Sequence, residues 1–375
     1  MKFNINNVNI TTHTFHGARE GASECHIILS CHPNKCYQTQ LEETIQAIQT
    51  LQDGRFGTCL FVRFFLSDAA NQVHALEKEW SKLASEAAVS IIQQPPLDGT
   101  KIAAWCYFAT HINVTTAGDH TLFSHNGYIH TWSANRKMEG SSYDQTFALL
   151  EEENNKAKSL GMTLADNCIR TWFYVQNIDV NYMGMVKARK NLFESYGLTN
   201  CTHYIASTGI EGRSDNPSTS VRLDSYLVKG LKQEQIQYLH ALSHLNPTYE
   251  YGVTFERGTA VHYGDRKHIF LSGTASIDHH GEILHEGDIK MQTLRMWENC
   301  DALLKEAGAT LDHMVQILVY LRDTADYTTV KEMFDKRFPE TPKVILLAPV
   351  CRPGWLIEME GIAIIENNEA KYPNY

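Results

Sequence analysis

The sequence predicts an α+β protein made of three copies of one unit, each a mixed sheet with two helices on one face. Three observations lead there. Gln145-Thr146 opens an acidic amphipathic run that reaches Gly161-Met162-Thr163-Leu164 and then a strand from Arg170. Gln292-Thr293 does the same through Gly308-Ala309-Thr310-Leu311 to a strand from Ile317. The offset is 147 at both landmarks (292 − 145 and 308 − 161), and residues 145–179 and 292–326 share eight identities in 35 positions, where roughly two would arise by chance. A third copy lies at the N-terminus, where Phe61-Val62-Arg63-Phe64-Phe65-Leu66-Ser67-Asp68 falls on residues 316–323 at an offset of 255. The same offset sets Val89 on Val344, Gly99 on Gly354 and Ile102 on Ile357.

Taken in order, the unit reads as two strands, a helix, a strand, a helix and two strands. In the last copy the strands fall near 252–262, 267–274, 314–321, 343–348 and 355–365, with helices near 288–307 and 327–338. In the first copy Gln38-Thr39 precedes a helix running to about Leu51, and residues 231–245 read as a linking helix. The units are therefore set at 1–110, 111–230 and 231–375. Val62, Phe64 and Leu66 align with Ile317, Val319 and Leu321 as the helix-packed face. The other face, with Arg63, Ser67, Tyr320 and Arg322, is mixed and must also be covered. Three copies can cover one another, giving an intramolecular pseudo-trimer with a pocket between units. Such a chain is expected to be a monomer or a modest homo-oligomer.

Composition narrows the partners. The 375 residues are 43% hydrophobic and 20% charged, with net charge −10 and pI near 6.0, which argues against nucleic-acid binding through bulk charge. No apolar run suggests a membrane span, and the N-terminus lacks a signal-peptide pattern. Nine cysteines without framework spacing point to reduced thiols and a cytoplasmic protein, leaving the sequons at Asn9 and Asn113 idle. Cys25, Cys31 and Cys36 are spaced poorly for zinc, and Asp278-His279-His280 reads as a solvated turn. No nucleotide or nucleophile-elbow motif occurs.

The chemistry concentrates in residues 342–361, an apolar strand, a tight turn and a second strand. Alternation puts Glu358 and Glu360 on one face of that strand, opposite Ile357 and Met359. Carboxylates on an inner sheet face are either bonded or doing chemistry.

Ser272-Gly273-Thr274, Gly287-Asp288 with Gln292-Thr293, Asn299, Gly308-Ala309-Thr310-Leu311 and Ile357-Glu358-Met359-Glu360-Gly361-Ile362-Ala363 resemble the signatures of the Rid (YjgF) family. That resemblance implies the Rid-like (chorismate-mutase-like) fold, whose subunits normally form trimers. Within that superfamily the chain is similar to the chorismatases, which hydrolyse the enolpyruvyl ether of chorismate. The likeness lies in Tyr251-Gly252, Phe255-Glu256-Arg257, Ser272-Gly273-Thr274-Ala275-Ser276, the Cys351-Arg352 pair, and Arg170-Thr171-Trp172-Phe173-Tyr174. Imine-hydrolysing Rid proteins hold the substrate carboxylate with an arginine where Lys343 stands, and lysine lacks the bidentate fork. The first unit has Ala103 at the position of Glu358 and Ala88 at that of Lys343, while Asp224 falls near the position of Glu358 in the second. One working site is expected, built by the third unit against a neighbour.

Glu358 is the expected general acid, since desolvation raises a buried carboxyl's pKa. Arg257, Tyr251 and Arg213 are candidate grips for a carboxylated small-molecule substrate, with Cys351 and Lys343 alongside. Protonating an enol ether needs no metal or cofactor. The expected activity is a chorismatase-like hydrolysis releasing pyruvate, with imine or enamine deamination and non-catalytic metabolite binding as rivals.

Overall fold

Three six-stranded sheets make up the chain in the computed structural model, which describes residues 1–17, 21–117 and 120–375. The first unit runs β1 (Lys2–Ile5), β2 (Val8–Phe15), β3 (Glu24–Cys31), α1 (Tyr37–Gln52), β4 (Thr58–Leu66), α2 (Ala69–Trp80), β5 (Ala88–Gln93) and β6 (Ile102–Ala109). The second runs β7 (Asn113–Ala117), β8 (His120–His125), β9 (Tyr128–Lys137), α3 (Ser142–Ser159), the short α4 (Leu164–Asn167), β10 (Cys168–Val175), α5 (Ile178–Ser195), β11 (Ala206–Glu211) and β12 (Val221–Lys229). The third runs β13 (Ile236–Leu239), β14 (Gly258–His262), β15 (Arg266–Ala275), α6 (Ile289–Glu306), β16 (Met314–Leu321), α7 (Tyr327–Arg337), β17 (Lys343–Leu347) and β18 (Ile357–Glu366). All three sheets have the same order, β1-β2-β3-β6-β4-β5 and its counterparts. In each, the pair joined through a helix is parallel: β4 with β5, β10 with β11, β16 with β17.

Each unit has one more strand than its sequence suggests. In the third unit that strand replaces the expected linking helix. Residues 231–245 hold a 3₁₀ turn at Gln233–Gln235 followed by β13, which pairs antiparallel with β14 from Ile236↔Val261 to Leu239↔Gly258. The spacing of Leu239, Leu242 and Leu245 imitates a helical stripe, but the open edge of β14 offers the backbone a ladder instead. The Gln235 amide nitrogen fixes the choice, donating to His262 O at 2.8 Å and to Tyr128 Oη at 2.9 Å.

A repeated glutamine ties each first helix to the last strand of its sheet. Gln145 Oε1 accepts from Ser220 and Val221 N–H at 2.9 and 3.0 Å, and Gln292 Oε1 accepts from Leu356 N–H at 2.9 Å. In the first unit the same work falls to Gln40, whose Oε1 accepts from Lys101 N–H at 2.8 Å. Gln40 is therefore the counterpart, not Gln38. All three sit four residues after the helix cap, Cys36, Ser141 or Asp288.

The repeat offset changes on the strands. A register shift falls between Cys59 and Phe61, between Cys168 and Arg170, and between Met314 and Gln316. Counted from it, Gln316 matches Arg170 (316 − 170 = 146) and Phe61, and Leu318 matches Trp172 and Arg63. Across the ladders, Glu358 then matches Arg222 and Ala103, while Glu360 matches Asp224 and Trp105. Asp224 is thus the counterpart of Glu360, and an arginine stands where the second unit would carry an acid. Arg222 Nη1 and Nη2 donate to Ile91 O at 2.5 Å and Asn135 O at 3.3 Å, which fills that cleft.

The helix-free faces of the three sheets turn inward and cover one another. Phe61 of the first unit stacks on Trp132 of the second at 4.5 Å, and Tyr226 of the second meets Phe270 of the third at 5.5 Å. Backbone bridges Gln93–Arg213, Ala206–Glu256 and Pro96–Leu346 join the three pairs of units. First and third units are also clasped by buried Glu24 and Arg266, 2.6 Å apart. Among the described residues no helix is long and apolar enough to cross a membrane.

Candidate functional site

Glu358 and Glu360 leave β18 on its inward face, while Ile357 and Met359 pack into the helix-side core. Two residues apart, the acids meet opposite conditions. Glu360 is fully engaged. Its Oε2 accepts from Arg170 Nη2 at 2.6 Å and from the Thr208 hydroxyl; its Oε1 accepts from Trp172 Nε1 at 3.0 Å and Tyr320 Oη at 2.9 Å. Arg63 Nη1 lies 3.9 Å from the same carboxylate, while Arg63 Nη2 pairs with Asp224 at 3.0 Å. Four donors thus converge on the two oxygens of Glu360.

Glu358 is buried, and among the described residues no group hydrogen-bonds its carboxyl. It faces a cavity of about 50 Å³ between the second and third units. Burial, and secondarily the charge of Glu360, raises its pKa to about 8 against the pull of Arg170 and Arg257. Room for the carboxyl comes from Gly273 on β15, where a Cβ would stand 2.2 Å from Glu358 Oε1. Gly273 N–H is held by the Thr208 hydroxyl at 2.9 Å, so β11 of the second unit sets the cavity floor.

Guanidiniums ring the cavity. Arg257 reaches it from the segment before β14; its Nη2 donates to Asn246 O and Oδ1 at 3.0 and 3.1 Å, and its Nε is buried without a partner. Arg189 on α5 is 1% exposed, donates from Nη1 to Ser207 Oγ at 3.3 Å, and has Nε and Nη2 buried and unpartnered. Neither forms an ion pair with a carboxylate among the described residues. Arg352, on the turn between β17 and β18, lies over the rings of Tyr251 and Trp355, each at 4.9 Å. Burial pushes the Cys351 thiol up to about 12 and raises the Tyr182 and Tyr251 phenols, so these wall groups are neutral donors.

Of the residues singled out from sequence, Glu358, Arg257, Tyr251 and Cys351 line this one cavity. Two lie elsewhere. Arg213 is exposed on its far side, 3.4 Å from Glu211. Lys343 Nζ donates to Phe338 O at 2.9 Å and pairs with Asp335 at 3.1 Å. Cys25 and Cys31 point into the helix-side core of the first unit, and His279 and His280 form an exposed turn.

Arg189 and Tyr182 were not found in the sequence. Arg189 sits in the run Lys187-Ala188-Arg189-Lys190, which looks like a solvated face. The usable signal is its phase, since it falls on the stripe of Met185, Val186, Leu192 and Phe193 that α5 buries.

Comparison with known proteins agrees with this architecture. The endoribonuclease L-PSP family model matches residues 258–365. A RutC family protein of Pyrococcus abyssi is 43% identical over 101 residues, which are 26% of this chain and 79% of the relative. A 3-hydroxybenzoate synthase of Streptomyces hygroscopicus is 34% identical over 106 residues, 26% of this chain and 31% of that one. The crystal structure of a chorismatase superposes with a TM-score of 0.65 at 19% identity, covering 82% of this chain and 93% of that one, a likeness of fold across all three units. Repeat, sheet order and sequence identity together place the chain in the endoribonuclease L-PSP (Rid) superfamily, as three fused units of its fold.

Proposed function

We propose that the chain hydrolyses the enolpyruvyl ether of a chorismate-like dicarboxylate, with Glu358 as the general acid. The observation that carries this is the buried Glu358 carboxyl, without a hydrogen-bond partner among the described residues and with its pKa raised to about 8 by burial, beside buried guanidiniums that lack carboxylate partners there. Arg189 and Arg257 would each take a substrate carboxylate, and the Tyr182 and Tyr251 hydroxyls would orient it. Glu358 then gives its proton to the enol methylene carbon, leaving an oxocarbenium carbon that water attacks. The Glu358 carboxylate takes a proton from that water, and the hemiketal collapses to pyruvate and the free ring alcohol. The cavity is narrow, about 50 Å³, and partly open to solvent, and outward movement of the turn carrying Arg352 and Trp355 would widen it for such a substrate. The fold shared with a chorismatase and the sequence likeness to a 3-hydroxybenzoate synthase support the reading.

The test is incubation with chorismate and product analysis by mass spectrometry. One pyruvate per chorismate consumed is expected. No pyruvate from chorismate, together with conversion of 2-iminobutyrate to the 2-oxo acid, would replace this reading by deamination. Lys343 argues against that outcome, because it is tied to Asp335 and Phe338 away from the cavity.

The glycine floor gives a second check. Gly273→Ala is expected to cut turnover about 10²-fold by displacing the Glu358 carboxyl. The melting temperature should hold within a few degrees, because Gly273 does not need a left-handed backbone. Unchanged turnover in this variant would show that the carboxyl position does not matter.

A further inference from the structure

Burial is the largest influence that keeps Glu358 protonated, and the charges around it act on top of that. Arg189, Arg257 and Arg352 line its cavity from α5, the segment before β14 and the β17–β18 turn. Arg257 and Arg170 of β10 favour the carboxylate. The other titratable groups are neutral acids. Burial pushes the Cys351 thiol and the Cys300 thiol of α6 up to about 12, and raises the Tyr182, Tyr251 and Tyr320 phenols. One anion faces Glu358 among the described residues: Glu360, two residues along the same strand face. Its four donors and the flanking Arg63 engage both of its oxygens and prevent it from turning toward the cavity.

We propose that Glu360 is a positioning residue whose fixed negative charge, pinned by Arg170 of the second unit and Arg63 of the first, keeps the Glu358 acid supplied with its proton. This rests on Glu358 being the proton donor. It gives the first unit a part in the reaction although its own counterpart of Glu358 is Ala103. Arg63 is wholly buried, and four rings (Phe61, Trp105, Trp172 and Tyr174) lie within 5.3 Å of its guanidinium, so its charge is directed at Asp224 and Glu360.

The experiment compares the whole chain with Glu360→Gln and with Glu360→Gln/Arg170→Met. The second variant removes the buried pair together and guards against misfolding caused by a stranded guanidinium. Two readouts are taken: the alkaline limb of the rate with chorismate, and the Glu358 carboxyl stretch in infrared difference spectra against the matching Glu358→Gln background. Glu360→Gln is expected to move both midpoints down by about one pH unit. The double variant should return them toward wild type, with the acid-side rate close to normal throughout. If the infrared midpoint of Glu358 does not move in the single variant, or the double variant does not restore it, the proposal is overturned. A shifted infrared midpoint without any chorismate turnover would leave the proposal standing and sink the substrate reading instead.

Discussion

Glu358→Gln is expected to lower pyruvate release from chorismate by about 10²–10⁴-fold while substrate binding stays within a few-fold. The amide fills the space beside Gly273 and still hydrogen-bonds, but it has no proton to give. In the wild-type chain the rate should hold through neutral pH and fall as pH rises through about 8, where the acid ionises. Stability should carry the same signature. The folded state keeps the Glu358 proton up to about pH 8, whereas the unfolded chain loses it near the ordinary value of 4.5. Wild-type stability contributed by this group is therefore full below pH 4.5 and is lost as pH rises toward 8. The glutamine variant has no such loss, so its advantage should grow across that window, to the order of a few kcal/mol. Denaturant melts at pH 4.5, 6.5 and 8.5 measure this. A variant within a few-fold of wild-type turnover, or a stability difference that does not grow with pH, would remove Glu358 from the role of acid.

Arg189→Met is expected to do the reverse of a normal core mutation, weakening binding while strengthening the fold. The guanidinium is buried with two nitrogens unpartnered and rings of Phe173 and Phe255 at 5.7 and 5.8 Å. An apolar chain of similar length suits that environment better than an unpaired cation. Losing a charge-assisted bond to a substrate carboxylate costs about 1.5–3 kcal/mol, or roughly 10- to 150-fold in affinity. Calorimetric binding of a non-hydrolysed enolpyruvyl analogue and a thermal melt check both halves. Affinity unchanged in the methionine variant would mean that Arg189 serves packing alone. A comparable loss is expected from Arg257→Met, though with less gain in stability, because Arg257 already bonds Asn246.

The parts of this site legible in the sequence were those governed by local alternation. Glu358 and Glu360 could be set on one face of β18 because a strand's period is two, and the apolar partners Ile357 and Met359 fixed the phase. The same rule did not distinguish their roles, since three of the four donors that engage Glu360 come from Thr208, Arg170 and Trp172, more than 150 positions away. The repeat exposed three units, but the offset of the helices does not reach the last strands, because the connections differ in length: Trp172 pairs with Asp224 52 positions on, and Leu318 with Glu360 42 positions on. Without the ladders that offset therefore does not decide whether Asp224 answers to Glu358 or to Glu360. Arg213 and Lys343 were candidates by residue type, and the deciding facts, Glu211 beside one and Asp335 beside the other, are tertiary. Residues 231–245 carried a helix-like spacing that lost to an unpaired strand edge.

The charge bridge at the centre also makes the units depend on one another. Glu360 depends on Arg170 and Arg63, and the matching places in its own unit hold Gln316 and Leu318. Three copies of the third unit closing on themselves would bring three acids inward with no guanidinium at either of these matching places. The unit that carries Glu360 thus draws its counter-charges from its two sisters, so separating the third unit from them would leave that carboxylate without either cation.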